Sequence, residues 1–349
     1  MTLDRIVRWE FWPAWIFYSP VAVFCAWLGI RYQGFSLPTI ANLNQKNGGI
    51  VGESKIGILQ TIMETSPEFV SDGYMVPAGT AAQRIDIVQE ICCRHDIRLP
   101  FVLKPDTAQR GAGFKKIQSL EEAGQYLEQV SAPLVLQRYV EGPGEAGIFY
   151  YRFPGERKGH IFGITRKEFP SVTGDGVRTL RELIESDSRA RLIAQTYLNR
   201  FDAEADRIVA RDERIRLVEA GNHCQGCIFK DGGDLYSEDL RNIFDEISRK
   251  LSGFYVGRYD IRYRSDDELR AGKGFTIIEL NGAASEATNI YDARNSLWSA
   301  YATLYRQWQL VYRIGAANRS RGNKPAMPFA VLKDWIEFSR QAIEFPIAD

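Results

Sequence analysis

Apolar residues recur along this chain with two distinct periods, and the period sets the element. From Glu238 to Leu251, the residues Leu240, Ile243, Phe244, Ile247 and Leu251 fall on one side of a helix with charged residues opposite. The same spacing predicts a helix after Ser54, carried by Ile56, Leu59, Ile62 and Met63, with Ser54 as its N-cap. Another is predicted over Ala81–His95, through Ile85, Val88, Ile91 and Cys92. Capping boxes, Ser119 with Glu122 and Thr179 with Glu182, open helices over Ser119–Val130 and after Thr179. A long helix near Ser296–Ile314 precedes a polar linker, Asn318–Lys324.

Strand patterns lie between these helices. Pro100–Pro105, Leu134–Val140, Ala146–Phe153 and Gly159–Lys167 are short apolar runs bounded by turn residues, and Phe35–Asn42 is expected to be extended. Tyr255–Tyr263 and Gly274–Gly282 alternate, and the acid-rich stretch Arg264–Gly272 joins them as a hairpin loop. Mixed elements in this order imply α+β lobes rather than an all-parallel sheet.

The stretch Phe11–Ile30 carries no charge and includes Trp12, Trp15 and Trp27. About 20 residues of regular helix can span a bilayer, but Pro20 falls mid-run, where it removes a backbone hydrogen bond. The arm is therefore expected to pack against its own N-terminal lobe or a second copy of the chain. Membrane contact is left open.

With 349 residues, 45% hydrophobic and 25% charged, the chain is long enough for two or three lobes around a sizeable core. Lys+Arg and Asp+Glu both number 44, which gives no basic excess for nucleic acid. Five cysteines in so long a chain speak against a disulfide framework and for a reducing, cytoplasmic setting. Cys92-Cys93 look like core packing. His223-Cys224-Gln225-Gly226-Cys227 lacks a second cysteine pair at zinc spacing and is read as a structural turn. The three histidines have no Gly-x-Ser-x-Gly partner, so a catalytic triad has little support.

Candidate chemistry gathers on the hairpin. Alternate strand residues share a face, so Arg258 and Asp260 point one way together, as do Glu279 and Asn281. If the two faces coincide, an oxygen-only ligand set suited to Mg²⁺ lies beside a guanidinium able to neutralise phosphate. Upstream stand Lys104, expected as an exposed strand-end cation, and the loop Asp106–Phe114 with Arg110, Gly111 and Gly113.

Taken in order over about Pro100 to Asp292, with Leu134–Glu145 between, these residues resemble the ATP-grasp superfamily. The likeness is nearest to the D-alanine–D-alanine ligase-related, carboxylate–amine ligase branch. Ile164–Lys167 with Thr173–Gly176 is similar to cyanophycin-synthetase-type ligases. The resemblance implies an N-terminal pre-ATP-grasp α/β lobe with the hydrophobic arm (1–96), an ATP-grasp domain (97–315) and a C-terminal linker and helix (316–349). Within the ATP-grasp domain, a small lobe (97–170) and a large lobe (171–315) grip ATP. Lys104 would meet the α- and β-phosphates, with the Arg110–Gly113 loop closing over them. Gln137 stands where the family usually has an acid near the adenine amino group. The backbone at Arg138 and Val140 would complete the adenine contacts, and Glu145 would hold the ribose. Asp260, Glu279 and Asn281 match the ligands of a pair of Mg²⁺ ions, for which Mn²⁺ can substitute. Arg258, with Lys167 or Arg166, would contact the transferred phosphoryl. The loop and helix start with Glu53 and Ser54 resemble the acid-binding part, and Ser285 is placed to meet the acceptor.

The reaction so implied activates a small-molecule carboxylate as an acyl phosphate and joins it to an amine or thiol. Two other functions fit the same pattern: a nucleotide-binding or membrane-associated interaction protein without turnover, and an ATP-grasp kinase. A homo-oligomer is compatible with each.

Overall fold

The structure, a computed structural model, describes Trp9 and residues 12–107, 111–221 and 226–342. The chain begins with α1 (Ala14–Phe17) and α2 (Ser19–Arg31), then α3 (Lys55–Thr65), β1 (Gly73–Val76) and α4 (Ala81–Arg94). Next come β2 (Phe101–Pro105), β3 (Lys115–Ile117), α5 (Leu120–Gln129), β4 (Leu134–Arg138), β5 (Gly144–Tyr151) and β6 (His160–Glu168). A smaller unit follows: β7 (Ser171–Thr173), α6 (Leu180–Ser186), α7 (Ala194–Arg200) and β8 (Arg214–Arg216). The chain continues through β9 (Ile228–Asp231), α8 (Glu238–Lys250), β10 (Val256–Tyr263), α9 (Asp266–Arg270) and β11 (Phe275–Asn281). It closes with α10 (Leu297–Ser320) and α11 (Pro328–Ala342).

The architecture is α+β, with antiparallel strand pairing throughout the named sheets. One sheet has the order β1-β4-β2-β3, a second β11-β10-β5-β6-β9, and β7 pairs with β8. The first sheet draws β1 from the stretch before residue 97. The strands β5 and β6 join the second sheet, where β5 lies between β10 and β6.

The second sheet sorts its faces by alternation. Ile148, Tyr150, Tyr259 and Ile261 point into a core completed by Ile56, Leu59 and Ile62 of α3 and Leu240, Phe244 and Ile247 of α8. The opposite face carries the charged residues discussed below. A second core lies between the first sheet and the helices α4 and α5, through Val88, Leu103, Leu127 and Leu136.

The arm folds onto its own chain. Phe17 and Val21 pack against Ile290, Tyr301 and Leu304, and Leu28 lies with Leu37, Ile40 and Tyr312. The Tyr301 hydroxyl donates to Phe17 O at 3.0 Å. The contact surface is shared between α10 and the N-terminal residues Leu37 and Ile40. Pro20 breaks no helix: the run divides at Tyr18, and Pro20 sits in the first turn of α2, where no backbone bond is lost. Phe11 lies outside the described residues. Among the described residues, no helix is long and apolar enough to cross a membrane.

Other expectations are corrected. Phe35–Asn42 is not extended; Leu37–Ile40 is a buried 3₁₀ turn, with Pro38 in its first turn, held under α10. The hairpin connection contains α9, capped by Ser265. The helix α10 continues to Ser320, because Asn318 is buried and its Nδ2 donates to Ile40 O at 2.8 Å. Cys92 is half-buried and packs against the core beneath α4, whereas Cys93 is exposed and does not. The capping box at Thr179 and Glu182 forms in full, whereas Glu122 accepts the N–H of Gln118 instead of Ser119. His223, Cys224 and Gln225 lie outside the described residues; Cys227 is buried, and its thiol donates to Glu168 O.

Candidate active site

The hairpin register decides how the charged face is built. Arg258 lies opposite Asn281 and Asp260 opposite Glu279, so the four candidate side chains form two adjacent cross-strand rows. On the other side of β10, Asp260 faces Gly147 and Arg262 faces Glu145. A Cβ on Gly147 would lie 3.0 Å from Arg258 Cδ and 3.3 Å from Asp260 Oδ1, so the glycine leaves room for that pair. On β6, Lys167 faces Glu145.

The charged residues of these strands and Asn281 line a cavity of about 770 Å³ that is also lined from the first sheet by Val102, Lys104 and Gln137. Such a volume suits a small-molecule site. Arg258 Nε and Nη2 grip Asp260 at 2.8 and 3.1 Å, and Lys167 Nζ reaches the same carboxylate at 3.2 Å. Burial opposes the charge on Asp260, but Arg258 and Lys167 outweigh it and hold the carboxyl below its usual range. Lys167 also bonds Glu145 at 3.0 Å; against the burial penalty, Asp260 and Glu145 raise its pKa. Arg262 Nε donates to the other Glu145 oxygen at 3.2 Å.

Lys104 differs from the other cations. It is only 8% exposed, not a solvated strand end, and donates to Ile278 O at 3.3 Å. Among the described residues no carboxylate pairs with it, and burial lowers its ammonium to about 8. Glu279, Asp260 and Glu145 offset that burial only in part, and a buried cation so placed is stabilised when a ligand brings further negative charge.

Sequence reasoning missed two members of the cluster. Lys55 Nζ bonds Glu279 Oε1 at 2.6 Å, and with Lys104 it holds that carboxyl low despite burial. A lysine in the first turn of a helix opposes the helix dipole, and that mismatch was the available signal. Arg262 continues the alternation of Arg258 and Asp260 by two more residues and could have been read from it.

Other candidates fall variously. Glu53 lines the cavity with Oε2 buried and unpartnered, and burial pushes its carboxyl up to about 7. Ser54 does not reach the cavity wall: its hydroxyl caps α3 at Gly57 and donates to Asp106 Oδ1 at 3.1 Å. Gln137 donates its amide N–H to Ile278 O at 3.1 Å. Arg138 turns its guanidinium onto Asp72, and its carbonyl accepts from the Ser71 hydroxyl at 2.7 Å. The Val140 carbonyl accepts from Arg262 at 2.9 Å. Arg166 pairs with Asp234 and Asp266, whereas its neighbour Lys167 lines the cavity. Ser285 lines the cavity and donates to Gly282 O at 2.6 Å. Gly111 and Gly113 have φ of 72° and 68°, and a Cβ on Gly113 would strike Pro105 Cγ at 2.6 Å. Arg110 lies outside the described residues.

Among the described residues no cluster of three or more His, Cys, Asp or Glu is arranged to hold a metal. Asp260, Glu279 and the Asn281 amide form an oxygen-donor set of the kind Mg²⁺ accepts beside phosphates. Asn281 Nδ2 is buried without a hydrogen-bond partner, a donor that an acceptor oxygen such as that of a phosphate would satisfy.

No family model matches the chain, and no curated protein matches it. Solved structures do. A D-alanine–D-alanine ligase from Bacillus anthracis is 13% identical at a TM-score of 0.42, over 77% of this chain and 68% of that one. A D-cycloserine synthetase is 13% identical at 0.41, over 84% and 81%. A bifunctional glutathione synthetase from Pasteurella multocida is 16% identical at 0.34, over 75% of this chain but only 38% of its own length. Likeness at this level assigns neither a reaction nor a substrate.

Proposed function

We propose that the chain is an ATP-grasp enzyme that uses Mg²⁺ and ATP to activate a carboxylate as an acyl phosphate and joins it to an amine or thiol. The observation that carries this reading is the row Asp260–Glu279 beside Arg258–Asn281, sharing one cavity with Lys104, whose burial the nearby carboxylates only partly offset. Lys55, Lys104, Lys167 and Arg258 face Asp260 and Glu279, while Arg262 and Glu145 balance each other. At the row itself the cations outnumber the carboxylates, which suits phosphate there, while Glu53, Glu219 and Glu286 line the rest of the cavity.

Lys104 and Lys167 offer point-charge contacts to phosphate, and Arg258 offers a planar fork to the oxygens of the transferred group. Asp260, Glu279 and Asn281 would hold Mg²⁺, which neutralises phosphate charge where the transferred group develops it. Glu145 fixes the direction of Lys167 and Arg262, and its remaining lone pairs suit ribose hydroxyls. Gln137, with the backbone of Arg138 and Val140, would meet the adenine edge. The glycines at 111 and 113 let backbone amides approach phosphate, and a covering loop there would keep water from the acyl phosphate. Glu53 and Ser285 stand at the substrate end of the cavity.

The test is ADP release with Mg²⁺ and ATP across paired panels of carboxylates and amines. Release that requires one member of each panel is expected. Failure of every pair, together with no binding of a non-hydrolysable ATP analogue, would overturn the reading.

A further inference from the structure

The cavity has two chemically different ends. Beyond the charged rows its wall is built by the arm and α10: Phe17, Val21 and Cys25 from one, Leu304 and Trp308 from the other. Aromatic packing fixes this wall, since Trp9 stacks on Phe17 at 5.2 Å and on Tyr291 at 5.5 Å. Gln307, the polar residue of α10 that lines the cavity, is engaged at both ends of its amide: Oε1 accepts from Ala287 N–H, and Nε2 donates to Ser285 O. The Tyr18 hydroxyl donates to Glu286 at 3.0 Å and lies 3.0 Å from that of Tyr291. Phe17, Val21 and Leu304 are themselves almost fully buried and back this wall, and the half-buried Cys25 and Trp308 carry its accessible apolar surface.

The two ends are directly connected. The segment after β11 runs from Asn281 to Glu286 along the cavity, and Arg258 Nη1 donates to Glu286 O at 3.0 Å. A substrate whose reacting group sits beside Arg258 has the apolar chamber next to it. Apolar surface facing a cavity is costly in water and is recovered only when an apolar group covers it.

We propose that this chamber is the subsite for the apolar body of one organic substrate: a carboxylate or an amine carried on an alkyl or aryl frame. The head group lies toward Arg258, and the frame lies between α2 and α10. The inference rests on the ligase reading for the nucleotide at the polar end. It makes the arm a specificity-determining wall and places short hydrophilic amino acids among the poor substrates.

The probe is 1-aminoanthracene, whose emission rises in an apolar site, titrated into the full chain and displaced by straight-chain carboxylates and amines of increasing length. Each methylene buried should strengthen displacement about four-fold, and the series that shows this gain identifies the head group. Ala22 lines the cavity from an exposed position on α2, so Ala22→Trp fills the chamber without entering the core. That variant should bind the probe at least ten-fold more weakly while keeping its affinity for a non-hydrolysable ATP analogue within two-fold, which also shows that it is folded. Probe binding unchanged in Ala22→Trp, or displacement independent of chain length in both series, overturns the proposal. If the analogue binds while either of those results is found, the chamber falls and the ligase reading stands. If chain length matters but the analogue does not bind, the chamber stands and the nucleotide reading falls.

Discussion

Replacing Lys104 by methionine keeps the length of the side chain and removes its charge. Burial lowers this ammonium from 10.5 to about 8 in the folded chain. At about 1.4 kcal/mol per pKa unit, holding the charge there without ligand costs roughly 3 kcal/mol. The sign follows from proton counts. Below about pH 8 both folded and unfolded chains carry the proton and the full penalty acts. Between about 8 and 10.5 the unfolded chain binds more protons, so stability rises with pH, and above about 10.5 the penalty is gone. The variant Lys104→Met should therefore be more stable than the parent by roughly 3 kcal/mol near neutral pH, with the gap closing toward about pH 10.5. Urea unfolding at several pH values, without nucleotide, measures this. The same variant should bind a non-hydrolysable ATP analogue about 10- to 150-fold more weakly, the worth of a charged hydrogen bond. A variant that is less stable than the parent at neutral pH, or that binds the analogue as tightly, refutes the argument that Lys104 is a buried cation kept for an anion.

Three other outcomes are expected. Glu145→Gln leaves Lys167 and Arg262 without their shared buried carboxylate and should destabilise the fold by about 3–5 kcal/mol; chemical denaturation with a loss under about 1 kcal/mol would show the pair to be dispensable. Burial raises Glu53 from 4.5 to about 7, so the folded chain holds the proton longer than the unfolded chain and loses stability as pH rises through that window. Glu53→Gln should match the parent below about pH 4.5 and exceed it in thermal stability above about pH 7, and the reverse order would contradict the burial argument. Leu28→Ala should cost about 2–5 kcal/mol if the arm is part of the folded core, and an unchanged transition would mean that the arm is not.

The sequence was most legible where a local rule and the tertiary structure agree. The helix α8 has its apolar stripe on one face, and it packs there. The alternation of β10 and β11 placed Arg258, Asp260, Glu279 and Asn281 on shared faces, and the register brings those faces together. Legibility failed where burial is decided by remote partners. Lys104 looked like a strand end, yet two sheets enclose it. Asn318 looked like linker composition, yet Ile40 gives its amide a partner inside the core. The arm reads as a membrane candidate because α10, which covers its inner face, lies far away in sequence. Lys55 was missed because its partner Glu279 is on another element entirely.

The account stands or falls on whether the carboxylate row and the cations opposite it form a Mg²⁺–nucleotide site. Calorimetric titration of the full chain with a non-hydrolysable ATP analogue, with and without Mg²⁺, tests this most directly when repeated on Asp260→Asn and Glu279→Gln. The account predicts that Mg²⁺ strengthens binding to the parent at least ten-fold and that each variant, though folded, loses most of that gain. Nucleotide affinity that is absent in the parent, or equally dependent on Mg²⁺ in both variants, would contradict it.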